Sequence, residues 1–307
     1  MTTNAAALAS AYAACERDAR THYENFPVAS LLLPRAMRPH VAAVYAFARA
    51  ADDFADEGER STAERHALLD GWLRRLRDAA EGGGHGPAPA AGEPPNTVEI
   101  FVALGASIRR CALPVPLFED LLSAFRQDIT VTRYASWADL LDYCRRSANP
   151  VGRLVLRIAG RNDPASDAAS DAVCTALQLT NFWQDLAVDF GRGRIYMPQE
   201  ELRAHGAREE DLRQRRTSPE WRRALEAATL RTRALFAAGR PVCDAVTGRL
   251  RYELRATWLG GMRILEKLEQ SGFDPLAARP KLGAADVPVL TWRALTWRSL
   301  MTSDRYL

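Results

Sequence analysis

Residues 178–198 read QLTNFWQDLAVDFGRGRIYMP. Gln178, Asn181, Asp185 and Asp189 follow one another at steps of three and four, which places them on one face of a helix. Leu179, Phe182, Leu186 and Phe190 fall on the other face. The spacing predicts a helix over about 166–191 with one apolar side and one polar side. Two carboxylates one turn apart repel by roughly 0.2–0.5 kcal/mol on an exposed helix, and more strongly in a groove of low dielectric. A folded chain that keeps such a pair usually supplies a cation for it.

A second pair lies about 130 residues earlier. The run HVAAVYAFARAADDFADE, from His40 to Glu57, has the pattern of a strong helix, with Gly58 in the C′ position that a left-handed cap requires. Asp52 and Asp56 are four apart, as Asp185 and Asp189 are, with Asp53 beside them. Arg49 and Tyr45 lie one and two turns earlier. Facing each other across a bundle, two such helices would line the rims of one cavity with carboxylates. Magnesium suits that chemistry, because it takes oxygen ligands, keeps several waters and is commonly completed by substrate phosphate. Nearby arginines would take the remaining phosphate charge. The plainer alternative is a pair of solvated acidic helix ends, with Asp56 and Glu57 opposing the helix dipole. Two clusters, each backed by an apolar face and one joined by Gln178 and Asn181, favour the cation site.

The rest of the chain is helical in pattern. Helices are expected over 5–20, 61–80, 96–111, 115–130, 136–147, 151–159, 219–239, 249–271 and 285–302, with short ones near 199–213. Ser61 with Glu64 and Ser136 with Asp139 have capping-box spacing. No run alternates with the period of a strand. The expected fold is all-α, a single multi-helix domain over 1–307. Residues 81–95, EGGGHGPAPAAGEPP, form a flexible loop insertion within it.

Composition narrows the function. The net charge of +3 is too small to argue for nucleic acid. Five widely spaced cysteines without a C-x-x-C suggest neither zinc nor a disulfide framework, which fits a reducing cytoplasm. The N-terminus lacks the pattern of a secretory signal, and no apolar run reaches the ~18 residues of a membrane span. No histidine follows a glutamate by three, so the di-iron carboxylate bundle is excluded.

Taken together, Tyr45–Asp56 (YAFARAADDFAD), His22 and Phe26, Tyr143-Cys144 with Val151-Gly152, Gln178–Asp189 and Arg194–Pro198 (RIYMP) resemble the squalene/phytoene synthase family of head-to-head prenyl synthases over nearly the whole chain. Within it, HYENFPVASLLLP and NFWQDLAVDFGRGRIYMP resemble the bacterial hydroxysqualene synthases of hopanoid pathways. The resemblance implies an isoprenoid-synthase bundle with a central cavity and a prenyl diphosphate substrate. Asp52, Asp56, Asp185 and Asp189 would bind the magnesium that holds diphosphate, with Asn181 and Gln178 supporting the second metal site. Arg49 and Arg194 would contact the diphosphate, Tyr45 and Tyr143 would line the cavity near the leaving group, and His22 and Phe26 would shape it near the first motif. One position departs from the family: Gln184 stands where most members carry an arginine. That change weighs against a simple carry-over of the two-farnesyl condensation.

The expected reaction is ionisation of presqualene diphosphate, with water capturing the rearranged cation to give hydroxysqualene and no need for NADPH. Gln184 would help to hold the water. Aromatic residues near the motifs (Phe47, Phe54, Phe182, Trp183, Phe190) would wall off the cation, unless they are simply core. The alternative is head-to-head condensation of farnesyl or geranylgeranyl diphosphate. A catalytically dead binding protein is disfavoured, because all four aspartates are present. Expected partners are the prenyl diphosphate, neighbouring enzymes of the squalene pathway for handover, and a peripheral contact with the inner face of the membrane. The last would involve VPVLTWRALTWRSLM near the C-terminus, although packing of Val289, Trp292, Leu295 and Leu300 on the bundle is the favoured expectation.

Overall fold

The structure is a computed structural model and describes residues 2–21, 32–83 and 87–297. His22, Phe26 and Leu300 lie outside the described residues, as do residues 84–86 of the glycine-rich loop. Among the described residues every regular element is a helix, and the only β-type pairing is an isolated parallel bridge between Arg133 and Ile195. The chain divides into two compact units, residues 1–130 with 150–163, and residues 131–149 with 164–307.

The first unit holds α1 (Thr2–Thr21), α2 (Arg38–Asp56), α3 (Thr62–Ala80), α4 (Thr97–Cys111), α5 (Val115–Asp128) and all but the first residue of α7 (Asn149–Ile158). Both expected start and stop signals act here. Ser61 accepts a hydrogen bond from the Glu64 amide while its own amide donates to the Glu64 carboxylate at 2.7 Å. Gly58 takes the left-handed conformation after α2, at φ +73°. The core is aromatic: Trp72 packs at 4.6 Å from Phe101 and 5.1 Å from Phe54 between ring centroids, and Phe47 at 5.4 Å from Phe118. The buried Trp72 indole donates to the Phe47 carbonyl, so its one polar group is satisfied. Phe47 and Phe54 are therefore core residues. A polar knot lies beside them, where Tyr12 Oη, His40 Nδ1 and Ser107 Oγ approach one another within 2.9–3.2 Å.

The second unit holds α6 (Trp137–Ser147), α8 (Pro164–Gln184), α9 (Leu186–Gly191), α10 (Gln199–His205), α11 (Glu209–Arg213), α12 (Pro219–Gly239), α13 (Val242–Ala245), α14 (Gly248–Gln270) and α15 (Asp286–Leu295). The capping box at Ser136 and Asp139 forms as expected. Helices α8 and α12 pack closely because α12 ends in glycine: a Cβ on Gly239 would lie 2.7 Å from the Ala169 carbonyl oxygen and 2.6 Å from a Val173 methyl. Trp183 on α8 is fully buried and donates to Thr232 on α12 at 2.9 Å.

Two expectations change. The helix carrying the second motif does not run unbroken to Gly191, because Asp185 leaves helical geometry (φ −101°, ψ 13°) and separates α8 from α9. The bond from the Asp189 amide to the Asp185 carbonyl survives at 2.9 Å, so the two carboxylates remain one turn apart. The second change is at the C-terminus. Trp292 and Leu295 are each 68% exposed, and Val289 is exposed too, so α15 does not pack its apolar side on the bundle. Its charged residues take that place, as described below.

Candidate active site

The two aspartate pairs lie in different units, and each has its own electrostatic arrangement. On α2 the apolar side (Val44, Phe47, Ala51, Phe54, Ala55) is buried, while Tyr45, Arg49, Asp52, Asp53 and Asp56 are half-buried along the opposite side. Arg49 pairs with Asp53 at 2.9 Å and with Asp52 at 3.9 Å. Burial depresses the Arg49 guanidinium, but the Asp53 and Asp52 carboxylates more than offset it and hold its pKa above the ordinary value. Its Nε is buried without a hydrogen-bond partner. A buried donor without an acceptor costs free energy that an incoming anionic oxygen would recover.

The acidic end of α2 also opposes the helix dipole, and the linker to α3 together with α3 itself supplies the remedy. Arg65 donates to the carbonyls of Phe54, Ala55, Glu57 and Gly58 at 2.7–3.2 Å, and Arg60 to that of Glu57 at 3.1 Å. Cationic donors on the last carbonyls satisfy orphan acceptors and counter the negative helix end. Sequence reading missed both arginines, although each follows Gly58 within one or two turns.

In the second motif the polar residues Gln178, Asn181, Gln184, Asp185 and Asp189 are half-buried, and Leu179, Phe182, Trp183 and Leu186 are buried. Phe190 is only half-buried. Asn181 donates from Nδ2 to Asp185 Oδ2 at 3.0 Å. The cation for Asp185 comes from far along the chain: Arg279 forms a fork on it, Nε to Oδ1 and Nη2 to Oδ2, the latter at 2.9 Å. Gln184 donates to the Pro280 carbonyl at 2.6 Å. Its amide is thus committed to the 279–280 segment, where the sequence suggested a water-holding role. Arg279 went unremarked in the sequence because nothing in ARPKLG marks a residue 94 positions away as a partner.

Behind this motif stands an aromatic stack. Phe182 lies parallel to Tyr196 with ring centroids 3.7 Å apart, and Tyr143 and Tyr134 pack around them at 5.5–6.2 Å. Tyr143 is buried here, among rings. Tyr196 belongs to the RIYMP segment, whose Ile195, Tyr196 and Met197 are all buried. That segment is fastened to residues 132–137: the Ile195 amide donates to the Thr132 carbonyl, Gln199 to Tyr134 and Glu200 to Ala135, while Arg133 holds both Glu209 and the Gly193 carbonyl. Arg194 is half-buried in the same strap, and its amide donates to the Asp189 carbonyl at 2.8 Å.

The donor set suits a hard cation. Carboxylates and one amide oxygen are offered, with no thiolate or imidazole among them. Among the described residues no three acidic, histidine or cysteine side chains converge as a ready-made metal cage. A cavity of about 770 Å³ opens elsewhere, between α3, α4 and residues 87–93 of the first unit. None of the motif residues lines it, and its Arg75 and Glu93 are paired with each other.

Residues 19–292 match the family model for squalene/phytoene synthase. The chain is 33% identical to a hydroxysqualene synthase from Rhodopseudomonas palustris over 91% of each chain. It is 31% identical to a 15-cis-phytoene synthase from Synechococcus elongatus, over 94% of this chain and 92% of that one. Among solved structures, squalene synthase HpnC from Alicyclobacillus acidocaldarius superposes with a TM-score of 0.79 at 41% identity, covering 87% of this chain and 96% of that one.

Proposed function

We propose a reaction from one premise: the chain belongs to the squalene/phytoene synthase family. The reaction is ionisation of presqualene diphosphate, rearrangement of the cation and its capture by water to give hydroxysqualene. The observation that carries this choice is the 33–35% identity to three hydroxysqualene synthases over 88–91% of the chain. The carbon–oxygen bond breaks with its electron pair leaving on diphosphate. The cyclopropane opens, water bonds to the rearranged carbon, and one proton is released. Presqualene diphosphate and water therefore balance against hydroxysqualene, diphosphate and a proton, with no reductant.

Asp52, Asp56, Asp185 and Asp189, with the Asn181 amide oxygen, are the donors that would hold magnesium. Bound there, magnesium would supply Lewis-acid stabilisation of the departing diphosphate. Arg49 and Arg194 would bind phosphate oxygens directly, since a guanidinium fork matches phosphate geometry. Arg279 already plays that part toward the Asp185 carboxylate and is a third candidate. Asn181 fixes the Asp185 carboxylate in place, Gln178 would support the second metal site one turn earlier, and Tyr45 and His22 with Phe26 would shape the first-motif side. Tyr143 supports α8 from behind through the Phe182–Tyr196 stack. Gln184 holds the Arg279-bearing segment against α8 and so positions one cation. The product is strongly apolar, so its handover to a following enzyme or to a membrane belongs to the same reading.

The identity of 31% and 33% to two phytoene synthases favours one alternative, head-to-head condensation of two allylic diphosphates. Incubation with magnesium and either farnesyl or presqualene diphosphate, without NADPH, separates the two. Hydroxysqualene from presqualene diphosphate alone is the expected result. Presqualene diphosphate left intact, or a condensation product from farnesyl diphosphate, would reject it.

A further inference from the structure

Helix α15 turns its charged residues inward. Asp286 and Arg293, with the half-buried Leu290 between them, face the rest of the second unit, while Thr291 is exposed. Asp286 is 2% exposed and accepts from Arg263 at 2.8 Å, from Lys267 at 2.6 Å and from the Gly283 amide at 2.8 Å. These donors hold its carboxyl well below the usual carboxylate range. Arg293 donates to Glu266 at 2.6 Å, and Arg240 donates to the carbonyl of Trp297 at 2.6 Å while lying over that indole. The opposite side carries Val287 at 60% exposure, Trp292 and Leu295 at 68%, with Val289 and Leu282 exposed beside them. An amphipathic helix of a soluble bundle normally turns these residues inward.

We propose that this face docks on the surface of a lipid bilayer. Two observations select that occupant. The composition is one tryptophan among aliphatic side chains, the set that settles at the boundary between headgroups and acyl chains. The charge is right: between residues 281 and 297 the single acidic side chain, Asp286, is buried and neutralised, while Lys281 is exposed. No negative charge from this stretch meets anionic headgroups. With 10 residues α15 is far too short to span a bilayer, and no helix of the described residues is long and apolar enough to do so. It would lie flat, anchored from behind by its charged side. The face is read from α15 and its neighbours alone, and stands whatever the reaction.

The test is flotation of the full-length protein with vesicles of phosphatidylcholine, with and without phosphatidylglycerol. The wild type should float, more strongly with the anionic lipid. Trp292→Ser with Leu295→Ser should lower the bound fraction at least about tenfold at an unchanged melting temperature. Lipids brominated in the acyl chain should quench tryptophan fluorescence in the wild type and much less in Trp292→Phe. A wild type that stays at the bottom of the gradient, or a double variant that floats equally well, would overturn the proposal. So would a wild-type dimer in sedimentation equilibrium that the double variant converts to monomer, which would assign the face to a second copy. Vesicle binding that appears only after removal of residues 298–307 would also overturn it, because the tail would then be the occupant. None of these readings uses turnover, so failure here and failure of the proposed reaction are told apart.

Discussion

The two aspartate motifs share a spacing and differ in how their charge is held. On α2 everything is local: Arg49 lies three and four residues before the aspartates it pairs with, and Arg60 and Arg65 close the helix end from the next few turns. At Asp185 the helix is interrupted, and the cation comes from Arg279, on a segment that Gln184 ties down. The first motif is preorganised by its own helix and its successor. The second depends on the tertiary position of a distant loop. Identical sequence spacing therefore conceals two kinds of support, one that forms with secondary structure and one that needs the finished unit.

The sharpest way to break this comparison is to remove one carboxylate from each side. Asp52→Asn and Asp185→Asn should each reduce product formation by about 10³-fold or more, as loss of charge stabilisation at a leaving group does. A large loss in only one would mean that the motifs are not chemically equivalent. Next comes Gln184→Arg, which exchanges the bond to Pro280 for a second cation near Arg279. It should lower hydroxysqualene yield from presqualene diphosphate roughly tenfold, a barrier change of about 1.4 kcal/mol. Unchanged yield would remove Gln184 from the account.

Stability sharpens the comparison further. Arg65→Ala strips several carbonyls of a charged donor and should cost about 1–3 kcal/mol in urea unfolding. Arg279→Ala should cost at most about 1 kcal/mol, because Arg279 is substantially exposed and such pairs are weak. In Arg279→Ala, magnesium alone should raise the melting temperature more than in the wild type, since Asp185 would then lack a competing cation. An equal shift in both would count against metal binding at Asp185. The smallest effect is expected at His40, whose pKa is lowered by burial and by Arg110. A histidine buried neutral contributes stability fully above its unfolded pKa of about 6.5, and loses it as pH falls from there through the lower folded value. Mild acid should therefore lower the melting temperature of the wild type more than that of His40→Gln. Parallel acid profiles would count against the shift.

Much of this was open to reading from the chain. Periodicity placed the helices, and the boxes at Ser61 and Ser136 and the left-handed Gly58 stand where local chemistry demands them, because caps depend on residues a few positions apart. The motif aspartates were marked by spacing. What escaped depends on contacts that spacing cannot encode. Arg279 reaches Asp185 across 94 positions. The interruption at Asp185 leaves the i, i+4 pattern intact, so the pattern gives no sign of it. At α15 the wheel showed an apolar stripe but not which side faces inward. That was decided by Arg263, Glu266 and Lys267 on α14, which offer better partners to Asp286 and Arg293 than water does. For the aromatic residues near the motifs spacing left two readings open, a cation wall or plain core, and Phe47, Phe54 and Trp183 prove to be core.

The strap that holds Arg194 has a consequence for the order of folding. Its bonds join residues 132–137 to residues 193–200, a separation of 60 positions between Arg133 and Gly193. Closing so long a loop is entropically slow until the intervening helices α6, α7 and α8 have condensed. The segment around Arg194 thus acquires its native contacts only after the helices it bridges. A chain caught before that step would carry α8 and α9 with Asp185 and Asp189 in place and still lack a seated Arg194, so helix content would recover ahead of activity during refolding.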